Sequence, residues 1–297
     1  MSSYSLDGKV ALVTGAERGI GLATSRLLHA RGASVAMLDL NQDEIEAAAE
    51  GVGERTLGLA VDVTDRGALE AAVASTVERF GGLDVVVANA GIAPAPASVA
   101  AMGSEEFERV VDVDLLGVYR TVRAALPQVI ERQGHVVVIA SVYAFVGGMM
   151  AAPYAMAKAG VEQLGRALRA ELAPKGAGAS VAYFGFIDTE MVHEGFDRNP
   201  IGDDLKKIFP KFLLKRLPPA KAGQVIVEGI EQRKPRIIAP KRWAIYSTLR
   251  GIINPLLDAG MVRDKRTHAL MERADDRVTV KAAADQAEPE TTRSATP

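Results

Sequence analysis

The 297-residue sequence contains no cysteine. That excludes disulfides, thiolate metal sites and cysteine nucleophiles together, and agrees with a reducing compartment. Histidine is scarce too: His29, His135, His193 and His268 are too scattered to offer metal-ligand spacing. Neither sign of charge is in excess. The 35 Lys and Arg against 37 Asp and Glu leave a net charge of −2, which argues against nucleic acid as a partner. The N-terminal MSSYSLDGK has no apolar secretory core, so a soluble cytoplasmic protein is the expectation. Val136 to Ala157 is uncharged and long enough for a membrane span. Gly147, Gly148 and Pro153 break it as a helix, however, and Val136 to Ile139 reads as a buried strand.

What is present is alternation. Apolar strand patterns at Lys9–Thr14, Ser34–Leu38, Leu57–Val61, Val85–Ala88, Val136–Ala140, Ser180–Tyr183 and Arg236–Ala239 are separated by helical patterns. The helices are expected after Gly21, from Gln42, over 65–80, over 105–132 with Ser104 as cap, over 154–173 and over 218–232. Strands joined through helices make right-handed parallel crossovers, so the fold class is α/β, a doubly wound Rossmann-like parallel sheet. Residues 1–240 should form this domain, with an irregular segment from Phe184 to Phe212 and a substrate loop at 190–217. An amphipathic helical extension is expected over 241–272 and a disordered tail, rich in Ala, Asp, Glu, Thr and Pro, over 273–297.

Three local patterns carry chemistry. The first strand ends in Gly15-Ala16-Glu17-Arg18-Gly19-Ile20-Gly21 and a helix follows. Strand, glycine turn and helix let a backbone approach a pyrophosphate at a helix N-terminus. Asp39 ends the second strand, where its carboxylate can accept from an adenosine ribose and repel a 2′-phosphate. It can equally cap the helix near Gln42, and the ribose role is favoured. Arg18 points toward NADP instead. Finally, Tyr154 and Lys158 stand four apart, on one helix face. Bringing a phenol from about 10 to neutrality takes roughly 4 kcal/mol, and an ammonium about 4 Å away supplies that order at an effective dielectric of about 20. Such a pair makes a general acid/base working near pH 7.

With Asn89-Ala90-Gly91 after the fourth strand and Ser141 after the fifth, the chain resembles the short-chain dehydrogenase/reductase family over roughly Leu6 to Ala239. Thr14, Gly15, Gly19, Ile20 and Gly21 look like its cofactor loop, and Ser141, Tyr154 and Lys158 fall at its active-site positions. The resemblance implies an NAD(H) enzyme interconverting a secondary alcohol and a ketone. In it, Tyr154 exchanges the hydroxyl proton, Ser141 bonds the same oxygen, and Lys158 lowers the Tyr154 pKa and holds the nicotinamide ribose. Asp62 and Val63 would flank the adenine, and Gly185, Ile187 and Thr189 the nicotinamide. Dimers or tetramers through the long helices are also implied.

The chain departs from the family twice. Asp114 stands where the family has Asn, either holding a proton-relay water or merely bending the helix. Phe184-Gly185 replaces Pro-Gly, which should loosen that turn. Phe145, Met149, Met150, Met191, Phe196, Ile208, Phe209, Phe212, Leu213 and Leu214 suit either a bulky apolar substrate (lipid, terpenoid or steroid-like) or ordinary packing. An NADPH-dependent ketone reductase and a non-catalytic dinucleotide-binding protein are the alternatives. In the extension, Trp243, Ile245, Tyr246, Leu249, Ile252, Ile253, Leu256 and Leu257 recur at helical spacing as one apolar face, with Pro255 a kink. That face can cover the cleft, meet a second subunit or lie in a membrane surface through 241–257; packing on protein is favoured.

Overall fold

The computed structural model describes residues 4–208 and 210–287. Seven strands form one parallel sheet: β1 (Val10–Thr14), β2 (Ser34–Asp39), β3 (Thr56–Ala60), β4 (Val85–Ala88), β5 (His135–Ser141), β6 (Gly178–Phe184) and β7 (Arg236–Ala239). Their order is β3-β2-β1-β4-β5-β6-β7. The central strands are buried along their whole length, VALVT in β1 and VVVA in β4. Continuous apolar runs are what a sheet covered on both faces requires. Side chains alternate between the two layers. Ala11, Val13, Val35 and Met37 pack under α1 (Gly19–Ala30), α2 (Gln42–Glu50) and α9 (Pro219–Glu231). Val10, Leu12, Val86 and Val138 meet α3 (Arg66–Phe80), α5 (Val118–Glu131) and α6 (Ala152–Leu172) on the other side. The order reverses between β1 and β4, which opens a crevice beyond the carboxyl ends of the strands.

Several segments differ from the sequence expectation. Helix α4 (Ser104–Val111) begins at Ser104, with Gly103 as N-cap and no side-chain capping bond. It joins α5 through a π-helical turn, Asp112–Gly117, which holds Asp114. The stretch read as irregular contains α7 (Glu190–Val192), a second π turn (His193–Asp197) and α8 (Gly202–Ile208). These pieces are too short to show a hydrophobic period. Charge pairs accompany their packing: Arg216 meets Asp197 at 2.6 Å and Lys207 meets Asp204 at 2.7 Å, while Ile201 and Leu205 are buried.

The extension forms α10 (Arg242–Met261) and α11 (Lys265–Ala287). The expected single apolar face of α10 is split. Trp243, Tyr246 and Ser247 turn inward, Trp243 and Tyr246 against Phe145, with Arg250 and Asn254 on the same side. Arg250 donates to both oxygens of the buried Glu162 at 2.9 and 2.8 Å, and Asn254 donates to the Phe145 carbonyl at 2.9 Å. Ile245, Leu249, Ile252, Leu256 and Leu257 face outward. Pro255 lies within α10 and does not end it. Helix α11 continues through residue 273, where a disordered tail was expected; 288–297 lie outside the described residues. Its Leu270 and Ala274 pack on Met150, Ile201 and Leu205, and Asp275 accepts from the Ser98 amide at 2.8 Å and hydroxyl at 2.7 Å. Among the described residues, no helix is long and apolar enough to cross a membrane.

Candidate active site

The crevice at the strand ends is a cleft of about 1730 Å³. Pockets for a single small ligand run to about 1,000 Å³, so this one has room for a dinucleotide and a second molecule. Its wall includes Gly15, Arg18, Gly19, Ile20, Asp39, Asp62, Val63, Asn89, Ala90, Gly91, Ser141, Tyr154, Lys158, Gly185, Ile187 and Thr189. Three residues named from sequence stand behind that wall: Thr14, Gly21 and Asp114. Thr14 is buried, and its hydroxyl accepts from the amides of Asn89 and Ala90 at 3.0 and 3.1 Å. Asn89 returns two bonds, to the carbonyls of Thr14 at 2.9 Å and Gly15 at 3.0 Å. These bonds lock the ends of β1 and β4 together, so Thr14 and Asn89 set the floor of the cleft.

The residues fit a dinucleotide at the phosphate end. Gly15 has φ +64°, and a Cβ there would lie 2.9 Å from the Ala90 Cα, so only glycine permits this turn. Arg18, the N-cap of α1, makes no side-chain capping bond, and the first turn holds no acid. Its amides are thus available to an anion in the cleft, with the helix dipole favouring one.

At the adenosine end, Asn41 caps α2 by accepting from the amides of Asp43 and Glu44. The capping role considered for Asp39 therefore belongs to Asn41. Asp39 accepts from the Glu17 amide at 3.1 Å and from its neighbour Leu40 at 2.9 Å. The sequence reading passed over Glu17. Burial, then the negative charges of Asp39 and Glu44, push its carboxyl above the usual range. Arg18 lies 3.9 Å from Glu17, which offsets part of the one positive charge in the loop.

At the other end, α6 carries Tyr154 and Lys158, and the Lys158 ammonium sits 5.3 Å from the Tyr154 ring centroid. Ser141, at the end of β5, accepts from the Tyr143 amide at 3.3 Å and donates to the Phe184 carbonyl at 3.4 Å, close enough to Tyr154 to lower the phenol's pKa. The Tyr143 ring packs edge-on to Tyr154 at 5.6 Å. Lys158 donates to the Ile139 carbonyl at 3.3 Å and meets Asp114 Oδ2 at 3.0 Å. That contact is an ion pair without hydrogen-bond alignment, and Oδ2 has no hydrogen-bond partner, while Oδ1 accepts from the Ile92 amide at 2.7 Å. A Cβ on Gly91 would lie 2.9 Å from Asp114 Oδ2 and 3.3 Å from Lys158 Nζ, so the glycine of Asn89-Ala90-Gly91 is what lets the pair close.

This pairing changes the electrostatics expected from Tyr154 and Lys158 alone. Burial pushes the Tyr154 phenol up, Lys158 pulls it down, and Asp114 pushes it up again; the net direction is upward. Burial works against the Lys158 ammonium, but the charges of Asp114 and Tyr154 outweigh it and raise its pKa. The Asp114 carboxyl is raised by burial, with Lys158 opposing. Lys158 thus acts on the phenol in the expected direction without bringing it below its ordinary value.

The turn at Phe184-Gly185 is pinned where loosening was expected. Phe184 continues β6, paired with Ser141 and Ala239, and the Gly185 amide donates to Ala239 at 3.0 Å. Trp243 lies against Gly185 so closely that a Cβ would sit 2.4 Å from its indole nitrogen. Most of the apolar residues named as substrate contacts pack elsewhere. Phe145 and Leu213 belong to the core, Met149, Met150 and Phe196 to the cluster under α11, and Phe212 is exposed. Met191 does line the cleft, beside Ile92, Pro94, Met156 and Val192. Phe209 lies outside the described residues.

The sequence profile described as short chain dehydrogenase matches residues 9–200. The 3-oxoacyl-[acyl-carrier-protein] reductase FabG of Vibrio cholerae is 36% identical over 188 residues, covering 63% of this chain and 77% of that protein. The trans-4-hydroxycyclohexanecarboxylate dehydrogenase of Sinomonas cyclohexanicum is 37% identical over 208 residues, 66% of this chain and 80% of its own. Among solved structures, a short chain dehydrogenase/reductase from Burkholderia phymatum in complex with NAD superposes with a TM-score of 0.74 at 21% identity, over 83% of this chain and 93% of that one. Gox2181 gives 0.71 at 27% identity, over 78% and 95%. With a matching profile across most of its length and the sheet described above, the chain belongs to the short-chain dehydrogenase/reductase family, oxidoreductases acting on CH–OH groups.

Proposed function

We infer that the protein is an NAD(H)-dependent oxidoreductase that interconverts a secondary alcohol and a ketone on an apolar substrate. One observation carries this reading: a single cleft has Ser141, Tyr154 and Lys158 at one end and the Asp39 carboxylate, held by the Glu17 amide, at the other. A bound nicotinamide would accept or supply the hydride. In oxidation, Tyr154 takes the hydroxyl proton as phenolate; in reduction, it gives the proton to the carbonyl oxygen. Ser141 donates to that oxygen as charge develops on it. Lys158, held between Asp114 and the Ile139 carbonyl, keeps a positive charge beside the phenol and reaches the ribose side of the cleft. Gly15, Gly19, Ile20 and the first turn of α1 would hold the pyrophosphate, and Asp39 the adenosine ribose. A 2′-phosphate would meet the Asp39 carboxylate there, with Glu17 adding negative charge nearby, which favours NAD over NADP.

Ile92, Pro94, Met191 and Val192 support an apolar substrate. Apart from Lys158, the cations lining the cleft are Arg18 in the phosphate loop and Arg109 on α4, so a substrate carboxylate lacks a partner beside Tyr154. Exposed Leu116, Tyr119 and Met156 along the long helices support a homodimer or homotetramer. Arg18 favours a second reading, an NADPH-dependent ketone reductase. The test is a screen of hydroxysteroids, terpenoid alcohols and fatty alcohols beside 4-hydroxycyclohexanecarboxylate, followed by NADH absorbance. Turnover of the apolar alcohols with NAD is expected. Equal kcat/KM with NAD and NADP would overturn the cofactor assignment, and turnover of the carboxylate alone would overturn the substrate class.

A further inference from the structure

The outward side of α10 is a stripe of large apolar side chains on a folded surface. Ile245, Leu249, Ile252 and Leu256 follow a four-three-four spacing, and with Leu257 they are 68%, 44%, 68%, 71% and 48% exposed. Between Trp243 and Val262 only Arg250 and Asp258 are charged, and Arg250 is turned inward onto Glu162. Cations gather at both ends of this stripe. Lys211 and Lys215 flank the exposed Phe212 on a loop whose Leu213 and Lys215 carbonyls accept from Arg242, the first residue of α10; exposed Lys241 precedes it. Arg263, Lys265 and Arg266 are exposed at the far end. In the same segments the acids are Asp258 and Asp264, and Asp264 is bonded to the Arg266 amide and the Thr267 hydroxyl.

We propose that this face of α10 docks on an anionic lipid surface, its apolar stripe in the interface and its two basic ends on the headgroups. Charge decides between a membrane and a second copy of the chain. A twofold contact through the stripe sets like ends together if parallel and opposite ends together if antiparallel, and both ends are basic, so cations oppose cations either way. An anionic bilayer satisfies both ends at once. The helix is held on the fold by its inward side and presents only its apolar stripe to an interface, while basic side chains at its ends supply the second attachment signal beside apolar insertion. Nothing here depends on the substrate or the cofactor chosen.

Full-length protein should float with vesicles of equal parts phosphatidylcholine and phosphatidylglycerol, at least about tenfold more than with phosphatidylcholine alone, and less as salt is raised. Ile252→Asp with Leu256→Asp should abolish flotation, and Lys211→Gln with Lys215→Gln should weaken it several-fold. All these positions are exposed, and an unchanged circular dichroism spectrum and urea midpoint check that each variant is folded. The proposal is overturned if folded wild-type protein does not float, or if the Asp variants float as well as wild type. It also fails if wild type stays with the buffer as a multimer whose solution mass drops in the Asp variants, which would make the stripe a contact between copies.

Discussion

Asp114 Oδ2 lies 3.0 Å from Lys158 Nζ, inside a wall where neither side chain is more than 5% exposed. The lysine that should act on the Tyr154 phenol thus has a carboxylate as its nearest charged neighbour. Gly91 makes room for the contact, and the Ile92 amide holds the carboxylate from its other side.

Asp114→Asn should therefore move the pH profile. Removing the negative charge leaves Lys158 to pull the phenol down with less opposition, so the Tyr154 pKa falls. Alcohol oxidation needs the phenolate, and its acidic limb should shift to lower pH. Ketone reduction needs the phenol, and its alkaline limb should shift the same way. At the optimum, kcat should stay within about tenfold of wild type. Profiles of kcat/KM in both directions decide this, and unmoved limbs would remove Asp114 from the electrostatics of the site.

Tyr154→Phe keeps the ring against Tyr143 and removes the proton carrier. Turnover should fall by about 10²–10⁴-fold or more, with NADH affinity retained in a fluorescence titration. Wild-type-like turnover would instead favour a dinucleotide-binding protein without catalysis.

Asp39→Ala and Glu17→Gln should each narrow the preference for NAD, and the double variant should narrow it most. One carboxylate against a 2′-phosphate is worth about 1–4 kcal/mol depending on screening, roughly five- to a thousandfold in affinity. Titrating NADPH into each variant measures it directly. An unchanged NADPH affinity in the double variant would show that the pair does not face the ribose.

Trp243→Ala should cost about 3–5 kcal/mol, the range for emptying a buried aromatic site. The side chain is 1% exposed and packs with Phe145 and Tyr246. Urea unfolding followed by circular dichroism reads the change. A midpoint close to wild type would mean that the extension adds little to the fold.

The sheet was legible because its strands are written as unbroken apolar runs, each closed by a turn or a helix pattern. Ser141, Tyr154 and Lys158 were legible because their spacing lies within one strand–loop–helix stretch. Contacts between distant segments were not. Nothing in the order of residues says that Glu17 meets Asp39, or that Asp114 closes on Lys158. The apolar period of α10 was visible, but Trp243 and Ile245 are both apolar, and period alone cannot say which faces inward. The apolar loop residues misled for a related reason: Met150 and Phe196 fill a layer under α11 whose partner Leu270 lies 120 and 74 residues further along the chain.

That layer also constrains how the protein is made. Ser98 stands in the loop after β4, and its amide and hydroxyl are held by Asp275, 177 positions later. Asp275 follows all seven strands of the sheet in the sequence. The sheet can assemble during synthesis from neighbouring β–α pieces, but this contact waits until α11 has been made. A nascent chain can thus carry Ser141, Tyr154 and Lys158 while the Ser98 loop is still unpinned.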